Sequence, residues 1–383
     1  MHSYSTYSDL LNHLDQLQVE YQDLGIAPNG DPIVAARTGG DETPTIVITA
    51  GSHATEHAGV RAAVECVDRL ETDHAVYVVP SRDPIGLNGY ASALETALDA
   101  SVSIESFAAV DEILEDRGEI VYDDDELILA LIGDTGFATT RPTEELPSCL
   151  RLLTRLKEFQ HERPSVLELF RGRRIITPAG HAAVEETGEF GRAYTLVVSP
   201  DGELLHLNRF FDRDWAPVET RSVRSLLERV EPGLVIDLHE NSEQGKRYHV
   251  SLRPTRSGVD FDEEERIGAR IVDAVRDIGV PLTTDEDIFG DKLDVVGRTA
   301  DEDRSRDSSD RFYSRSGTGA YCVDPNVTSP PRSGEGLNAV DLAAEKYGFA
   351  FTTETGMHGP FEQRVEAAVV SVKAAIDAFE EPH

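Results

Sequence analysis

Short apolar runs alternate along this chain with longer segments of helical periodicity. The runs are rich in Val, Ile, Tyr and Phe and cover residues 45–50, 75–80, 194–199, 234–239, 247–252 and 347–353. Their length and their β-branched residues predict strands. Between the runs, apolar residues recur at helical spacing, as at Val60, Val64 and Val67. The alternation predicts an α/β fold, a mixed and mostly parallel twisted sheet with helices on both faces.

Residues 91–175 interrupt this alternation. They contain an acidic run at 122–126 (YDDDE) and helix-like stretches such as 148–153 (SCLRLL). We expect a largely helical insertion here, within one domain that spans residues 1–383. Residues 300–335 are too polar for a core and predict a long loop, of the kind that is often functional.

A polar motif follows the first of these predicted strands. Residues 51–57 read GSHATEH, so that His53 and Glu56 are three positions apart where a turn would pass into a helix. Side chains at this spacing face the same point. A neutral imidazole and a carboxylate that converge are ligands suited to Zn²⁺. His53 and Glu56 are therefore candidate metal ligands.

Two later strands also end in residues that can support chemistry. In the run at 234–239, period-two alternation places Asp237 and His239 on one side of the strand. His239 can supply a third ligand, and Asp237 can accept a hydrogen bond from an imidazole and fix its tautomer. Glu354 ends the run at 347–353 and is a candidate general base for a metal-activated water. Ligands of α/β sheets bind beyond the carboxyl ends of the strands, where these residues would converge.

In this order the motifs resemble those of the zinc carboxypeptidase family of metallopeptidases, including its succinylglutamate desuccinylase and aspartoacylase branch. That family has a GxHxxE motif, an Asn-Pro-Asp-Gly turn, an Asn-Arg pair, a distal strand histidine and a strand-end glutamate. The corresponding positions here are residues 51–56, 83–86 (altered to DPIG), Asn208 with Arg209, His239 and Glu354. The resemblance covers nearly the whole chain except the insertion, and implies a single catalytic domain with the fold of that family.

The resemblance implies one Zn²⁺ per chain, held by His53, Glu56 and His239 with the fourth position open to water. Glu354 would act as the general base in amide hydrolysis. Asn208 and Arg209 would bind the substrate's free carboxylate, with Arg209 as a bidentate fork. Leu337 would line the pocket for the substrate side chain.

This chain departs from the family pattern at three places. His206 stands two residues before the Asn-Arg pair, where the family usually has an aspartate that orients the first histidine ligand; Asp237 could compensate. The expected tyrosine is missing at its usual spacing, and Tyr321 is the nearest candidate. The arginine that polarises the scissile carbonyl is ambiguous, with Arg174, Arg192 and Arg82 as the alternatives.

Several alternatives remain open at this point. The substrate could be a peptide that loses its C-terminal residue, or a small N-acyl amino acid. Residues 53–57 also fit the inverted zincin signature H-x-x-E-H, in which His53 and His57 bind the metal from one helix. A non-catalytic zinc-binding protein of the same fold is a further possibility, although Glu354 and Arg209 are both present. The metal could be Co²⁺ or another borderline ion instead of Zn²⁺.

The charge balance excludes several classes of partner. The chain has 71 acidic and 36 basic residues, a net charge of −35, and only five lysines. Such a surface disfavours binding to nucleic acid and to anionic membranes, both of which require basic residues. The acidic residues are dispersed, which indicates adaptation to molar salt, as in halophiles, where self-repulsion is screened. The sequence says nothing about oligomeric state.

The cysteines and the N-terminal residues indicate where the protein works. Cys66, Cys149 and Cys322 lie far apart and show no CxxC spacing, so neither a disulfide framework nor a thiolate metal cluster is expected. The first thirty residues show no export signal, and no apolar stretch is long enough to span a membrane. We expect a cytoplasmic enzyme.

Overall fold

The computed structural model describes residues 3–140, 149–179, 187–241, 246–253, 261–284, 287, 314–322 and 336–381. The strands within these ranges are β1 (Tyr21–Ile26), β2 (Pro32–Gly39), β3 (Glu42–Ala50), β4 (His74–Val79), β5 (Glu119–Asp123), β6 (Leu127–Ile132), β7 (Thr135–Thr140), β8 (Arg174–Pro178), β9 (Ala193–Val198), β10 (Leu204–His206), β11 (Leu234–Asn241), β12 (His249–Leu252), β13 (Ser314–Gly317), β14 (Ala320–Cys322) and β15 (Phe349–Gly356).

The helices in the same ranges are α1 (Tyr7–Leu17), α2 (His57–Arg69), α3 (Pro84–Leu98), α4 (Phe107–Arg117), α5 (Cys149–Glu162), α6 (Pro164–Glu168), α7 (Val218–Val230), α8 (Phe261–Asp277), α9 (Ala339–Lys346) and α10 (Phe361–Glu380). A short 3₁₀ turn, Leu207–Arg209, follows β10 directly. In the described part of the chain, no helix is both long and apolar enough to span a bilayer.

A nine-stranded sheet forms the centre of the fold, in the order β1-β2-β4-β3-β11-β15-β12-β14-β13. Strands β4, β3, β11 and β15 run parallel to one another, whereas the pairs β1/β2, β2/β4, β12/β15 and β13/β14 are antiparallel. The carboxyl ends of β3, β11 and β15 therefore meet at one edge. The register places His239 of β11 opposite Glu354 of β15.

Helices cover both faces of this sheet, which confirms the predicted fold class. Ile46 and Ile48 of β3 pack into a core with α1, α2, α8 and α10. Val47, between them, faces the opposite side and packs with α7 and α9. Alternating side chains of a strand buried on both sides produce the continuous apolar run seen in the sequence.

The stretch 91–175 differs from the largely helical insertion that we expected. It contains α4, α5 and α6, but it also contributes β5, β6 and β7 to a second sheet of six strands, in the order β10-β9-β8-β7-β6-β5. Leu127 and Leu129 of β6 pack in one apolar cluster, and Ile128 and Ala130 pack in another. A six-residue run buried on both sides lacks the polar alternation that marks a half-exposed strand, so periodicity alone does not reveal it.

Helix α3 begins with a buried aspartate whose protonation affects stability. Asp83 is the N-cap, and its Oδ1 accepts a hydrogen bond from Gly86 N at 2.9 Å. Burial raises the pKa of Asp83 to about 7. An unfolded aspartate titrates near ~4. Between these values the folded protein retains a proton that the unfolded chain has lost, so this residue lowers the free energy of unfolding as the pH rises from about 4 through about 7.

Replacement of Asp83 by asparagine tests this assignment. The variant Asp83→Asn keeps the oxygen that accepts from Gly86 but has no charge to bury. We expect it to be more stable than the wild type by about 1–4 kcal/mol at pH 8, and by less at pH 5. Urea unfolding at both pH values, at constant salt, measures the difference. An equal effect at the two pH values would contradict a raised pKa for Asp83.

Candidate metal centre

The turn after β3 determines the position of the first two candidate ligands. Gly51 has φ +61°, and a Cβ there would lie within 3.0 Å of Ser81 and Val60. Glycine thus permits the close turn out of the strand. Glu56 is the N-cap residue, and α2 begins at His57. His53 therefore lies in the turn before the helix.

This geometry excludes the inverted zincin alternative. That motif requires two histidines on one helix, but His53 precedes α2. His57 is buried in α2, and neither of its ring nitrogens has a hydrogen-bond partner in the part of the chain that the structure describes. It is also absent from the one group of three or more potential metal ligands found among the described residues. His57 is therefore a core residue of α2, not a ligand.

That group of potential ligands consists of His53, Glu56 and His239, whose ligand atoms all lie within 4.8 Å of one another. Nδ1 of His53 is 2.6 Å from Oε1 of Glu56, and Nδ1 of His239 is 2.8 Å from Oε2 of the same carboxylate. The structure thus brings together residues 186 positions apart in sequence. Two imidazoles and one carboxylate match the ligand set of catalytic zinc sites.

The hydrogen bonding of Glu56 tests whether these residues fit a metal ion. Its side chain is buried, and apart from the ion-pair contact with Nδ1 of His239 at 2.8 Å, no hydrogen-bond partner of Oε2 is found among the described residues. Buried polar atoms are rarely left unpaired. A metal ion needs ligand atoms whose lone pairs converge on one point. The ring nitrogens of the two histidines and the oxygens of Glu56 converge in this way, so the residues fit a divalent metal.

The outer nitrogen of His239 faces a second carboxylate. Nε2 of His239 lies 2.9 Å from Oδ2 of Asp237, which can accept a hydrogen bond from the ring N–H. Arg82 donates to both oxygens of Asp237 at 2.9 and 2.7 Å, and Thr49 donates to Oδ1 at 2.8 Å. All four side chains are at most 5% exposed. Asp237 is thus placed to hold His239 as the tautomer whose Nδ1 lone pair faces Glu56.

Charges within the site shift the titration of its members. Burial alone would raise the pKa of Glu56, but His239 and His53 outweigh it and lower that pKa to about 2. Burial likewise opposes ionisation of Asp237, yet Arg82 and His239 keep its pKa below the ordinary value. Glu56 and Asp237 are therefore both carboxylates at neutral pH. Two fixed anions, of which only Asp237 is paired with an arginine, favour a cation at the site.

Glu354 lies beside this group and differs from both carboxylates. It is partly buried at the end of β15, and burial raises its pKa to about 8, with Glu56 and Asp237 adding to the effect and His239 opposing it. Within the described residues, its carboxyl group takes part in no hydrogen bond or ion pair. A carboxyl with a pKa near neutrality and no fixed partner can both accept and return a proton.

The pair Asn208–Arg209 lies in the 3₁₀ turn after β10. Asn208 is buried; its Oδ1 accepts from Arg82 Nη1 at 3.1 Å and from Ala339 N at 3.3 Å. Its amide is thus used to hold the site together, and is less available to a substrate than the resemblance implied. Arg209 is half-buried, and its Nη1 donates to Asn208 O at 2.8 Å. Among the described residues no carboxylate pairs with Arg209, so most of its donors are free.

Two of the candidate arginines form their hydrogen bonds with groups outside the site. Arg192 is fully buried and donates to four backbone carbonyls, those of Tyr4, Ser5, Leu87 and Gly191. It anchors the N-terminal segment and does not face a substrate. Arg174 donates to both carboxylate oxygens of the fully buried Glu219, at 2.8 and 2.7 Å. It borders a separate cavity of about 560 Å³.

The third candidate, Arg82, does lie in the site, but its guanidinium already donates to both oxygens of Asp237.

The proposed pocket residue Leu337 is half-buried, and its carbonyl accepts from Phe211 N at 3.2 Å. Its side chain packs against the apolar cluster that contains Phe211 and Ala339, so its place in a substrate pocket stays a prediction. The hydroxyl of Tyr321 is buried and donates to Thr283 O at 3.1 Å, which makes it a core contact. Residues 323–335, which include part of the expected pocket loop, lie outside the described residues.

Sequence reasoning did not identify two aromatic neighbours of His53 as parts of the site. His206 had been noted only as a departure, yet its Nδ1 lies 2.8 Å from Nε2 of His53. Tyr194 of β9 stacks on the His53 ring, with centroids 5.1 Å apart and planes 21° apart. Both come from the second sheet. Nothing in the apolar run at 194–199 distinguishes a tyrosine that covers a site from one that fills a core.

Comparisons with known proteins found a distant similarity to solved structures of metallo-carboxypeptidases. No protein-family model and no curated protein matches it. Among solved structures, it resembles the metallo-carboxypeptidase of Burkholderia cenocepacia over 98% of this chain and 69% of that one, with 10% identity and a TM-score of 0.48. A metallo-carboxypeptidase of Pseudomonas aeruginosa, in complex with (2-guanidinoethylmercapto)succinic acid, matches over 98% and 70%, with 13% identity and a TM-score of 0.45. Carboxypeptidase A of Helicoverpa armigera matches over 97% and 73%, with 10% identity and a TM-score of 0.44. At identities this low, any assignment of function depends on the site's own geometry.

Proposed function

We propose that this protein is a zinc-dependent hydrolase that cleaves an amide bond next to a free carboxylate, most simply a metallocarboxypeptidase. The observation that carries the proposal is the convergence of His53, Glu56 and His239, whose ligand atoms lie within 4.8 Å of one another. A structural zinc site is usually closed by four protein ligands. Three protein ligands would leave the fourth position open to water, with Glu354 beside it, and this favours a catalytic site.

Each group of the chain would have a separate task. Bound by the three ligands, a zinc ion would act as a Lewis acid and favour ionisation of a nearby water. Glu354 would accept the proton of the attacking water and return it to the leaving amine. Burial raises the pKa of Glu354 and the charge of a bound metal ion would lower it, which favours a carboxyl that can both accept and return a proton near neutral pH. The network of Asp237, Arg82 and Asn208 would keep His239 oriented.

Arg209 would select the substrate. It is a half-buried arginine whose charge acts on His53, and no carboxylate among the described residues neutralises it. This is unusual in a chain with 71 acidic residues. A guanidinium binds a carboxylate in a bidentate geometry that also fixes its orientation. The free carboxylate of a peptide's last residue is the corresponding substrate group.

Arg209→Met should therefore weaken binding of substrates that have a free carboxylate. Loss of hydrogen bonds to a charged group, worth about 1.5–3 kcal/mol, predicts a fall in kcat/KM of about 10- to 100-fold or more. Arg209→Lys should retain part of the activity. The matched control is Arg229→Met on the exposed face of α7, which should behave as wild type. An unchanged kcat/KM of Arg209→Met on the free dipeptides would contradict the role of Arg209 in carboxylate recognition.

The substrate class is tested by two panels assayed in molar salt. One contains N-blocked dipeptides with free C-termini and their amidated counterparts; the other contains N-acetyl and N-succinyl amino acids. Release of the C-terminal residue from the free dipeptides, but not from the amides, is expected. Turnover of the acyl amino acids alone would move the assignment to an N-acyl amino acid amidohydrolase. Zinc binding with no turnover on either panel would support a non-catalytic zinc-binding protein.

A further inference from the structure

His206 contacts the candidate ligand His53 from the side opposite Glu56. It is the last residue of β10 and is buried, and its Nδ1 lies 2.8 Å from Nε2 of His53. The two rings are tilted by 54°, with centroids 4.7 Å apart. At this separation the two nitrogens share one hydrogen, so one of them donates and the other accepts.

The position of Glu56 determines whether Nε2 of His53 or Nδ1 of His206 donates this hydrogen bond. Nδ1 of His53 is the atom that faces Glu56, at 2.6 Å, and is therefore the atom that would bind a metal. A metal-binding nitrogen must present a lone pair, so the ring hydrogen of His53 must be on Nε2. Nε2 then donates to Nδ1 of His206. His206 in turn must have its own hydrogen on Nε2 and remain neutral at Nδ1.

We infer that His206 is the positioning residue of His53, an imidazole acceptor that holds its neighbour in the metal-binding tautomer. The inference rests on the metal site of the proposed function, but it concerns a residue that this proposal does not need. It also makes the two histidine ligands unequal. His239 donates to a carboxylate, Asp237, whereas His53 donates to an uncharged ring.

The unequal support has a chemical consequence. A carboxylate acceptor raises the basicity of the imidazole that donates to it, and a neutral acceptor does so less. With His206 in place, His53 should be the weaker of the two histidine ligands. A carboxylate at position 206 should therefore strengthen metal binding, and loss of the acceptor should weaken it.

Three substitutions separate the hydrogen bond from the volume of the side chain. In histidine, asparagine and aspartate the acceptor atom is bonded to Cγ, so Nδ1 and Oδ1 occupy similar positions. His206→Asn keeps a neutral acceptor, His206→Asp supplies a charged one, and His206→Leu supplies none. The probe is Zn²⁺ itself, titrated into metal-free protein in competition with a chromophoric chelator. Circular dichroism checks that each variant is folded at the temperature of the titration.

We expect His206→Asn to bind zinc within a few-fold of wild type, and His206→Leu to bind about 10- to 100-fold more weakly. His206→Asp should bind at least as tightly as wild type. In zinc-loaded wild type, long-range ¹H–¹⁵N NMR spectra should show both His53 and His206 with the hydrogen on Nε2. A purely structural role for His206 would not produce this signature or the difference between asparagine and leucine.

Two different results would overturn the inference. If folded His206→Leu binds zinc as tightly as wild type, or His206→Asn is as weak as His206→Leu, His206 does not position His53, and the proposed function stands. If wild type itself binds no zinc, both the inference and the proposed function fail.

Discussion

Glu354→Gln is expected to lower kcat by about 10²- to 10⁴-fold while zinc remains bound. Glutamine has nearly the same shape as glutamate but cannot accept the proton of the attacking water. Glu354 is not among the three convergent ligands, so its replacement removes no metal contact. The measurement combines steady-state kinetics on an N-blocked dipeptide with the zinc content of the same preparation. Retained zinc with lost turnover is the result that distinguishes a general base from a ligand.

The control for this substitution is Glu228→Gln, which makes the same chemical change at an exposed position of α7. Its turnover and zinc content should equal those of wild type. Two outcomes would contradict the assigned role. Full turnover in Glu354→Gln would show that another group takes the proton. Loss of zinc together with turnover would show that Glu354 holds the ion.

Arg82→Met is expected to lower the free energy of unfolding of the metal-free protein by about 3–5 kcal/mol. Arg82 and Asp237 form an ion pair of 2.7 Å in which the side chains are 3% and 0% exposed. Methionine fills a similar length but leaves the Asp237 carboxylate buried without its cation. Thr49 and His239 remain as neighbours, but Thr49 is uncharged and the charge of His239 is shared with Glu56.

The double variant Arg82→Met/Asp237→Asn is the control for this prediction. Breaking a buried ion pair at one partner costs far more than removing both charges. The double variant should therefore recover much of the lost stability. Denaturant unfolding at constant high salt measures all three proteins. If the single and double variants are equally unstable, lost packing, not the unpaired charge, explains the effect.

Local spacing was sufficient to predict the residues that converge in the site. His53 and Glu56 are three apart at a strand-to-helix turn, and Asp237 and His239 share one side of β11 because strand side chains alternate. Glu354 could be placed beside them because parallel strands end at one edge. The structure brings these five residues together. The first four positions follow from rules about neighbours in sequence, and that of Glu354 follows from the parallel strands.

Partners that are distant in sequence could not be predicted in the same way. The choice of arginine illustrates this: Arg192 and Arg174 were plausible by order along the chain, but one binds backbone carbonyls and the other binds Glu219. Arg82 reaches Asp237 across 155 positions, and His206 reaches His53 across 153. The first contact depends on the order of β4, β3 and β11 within the nine-stranded sheet, and the second depends on how the six-stranded sheet packs against it. No local pattern encodes either arrangement.

The most direct test of the central claim is the zinc content of the wild-type protein. The protein should be purified without chelator in molar salt, and metal should be measured by elemental analysis beside His53→Ala and His239→Ala. The geometry of His53, Glu56 and His239 predicts about one zinc ion per wild-type chain and a large loss in both variants. Wild-type protein that neither contains zinc nor binds it when zinc is added would contradict the account.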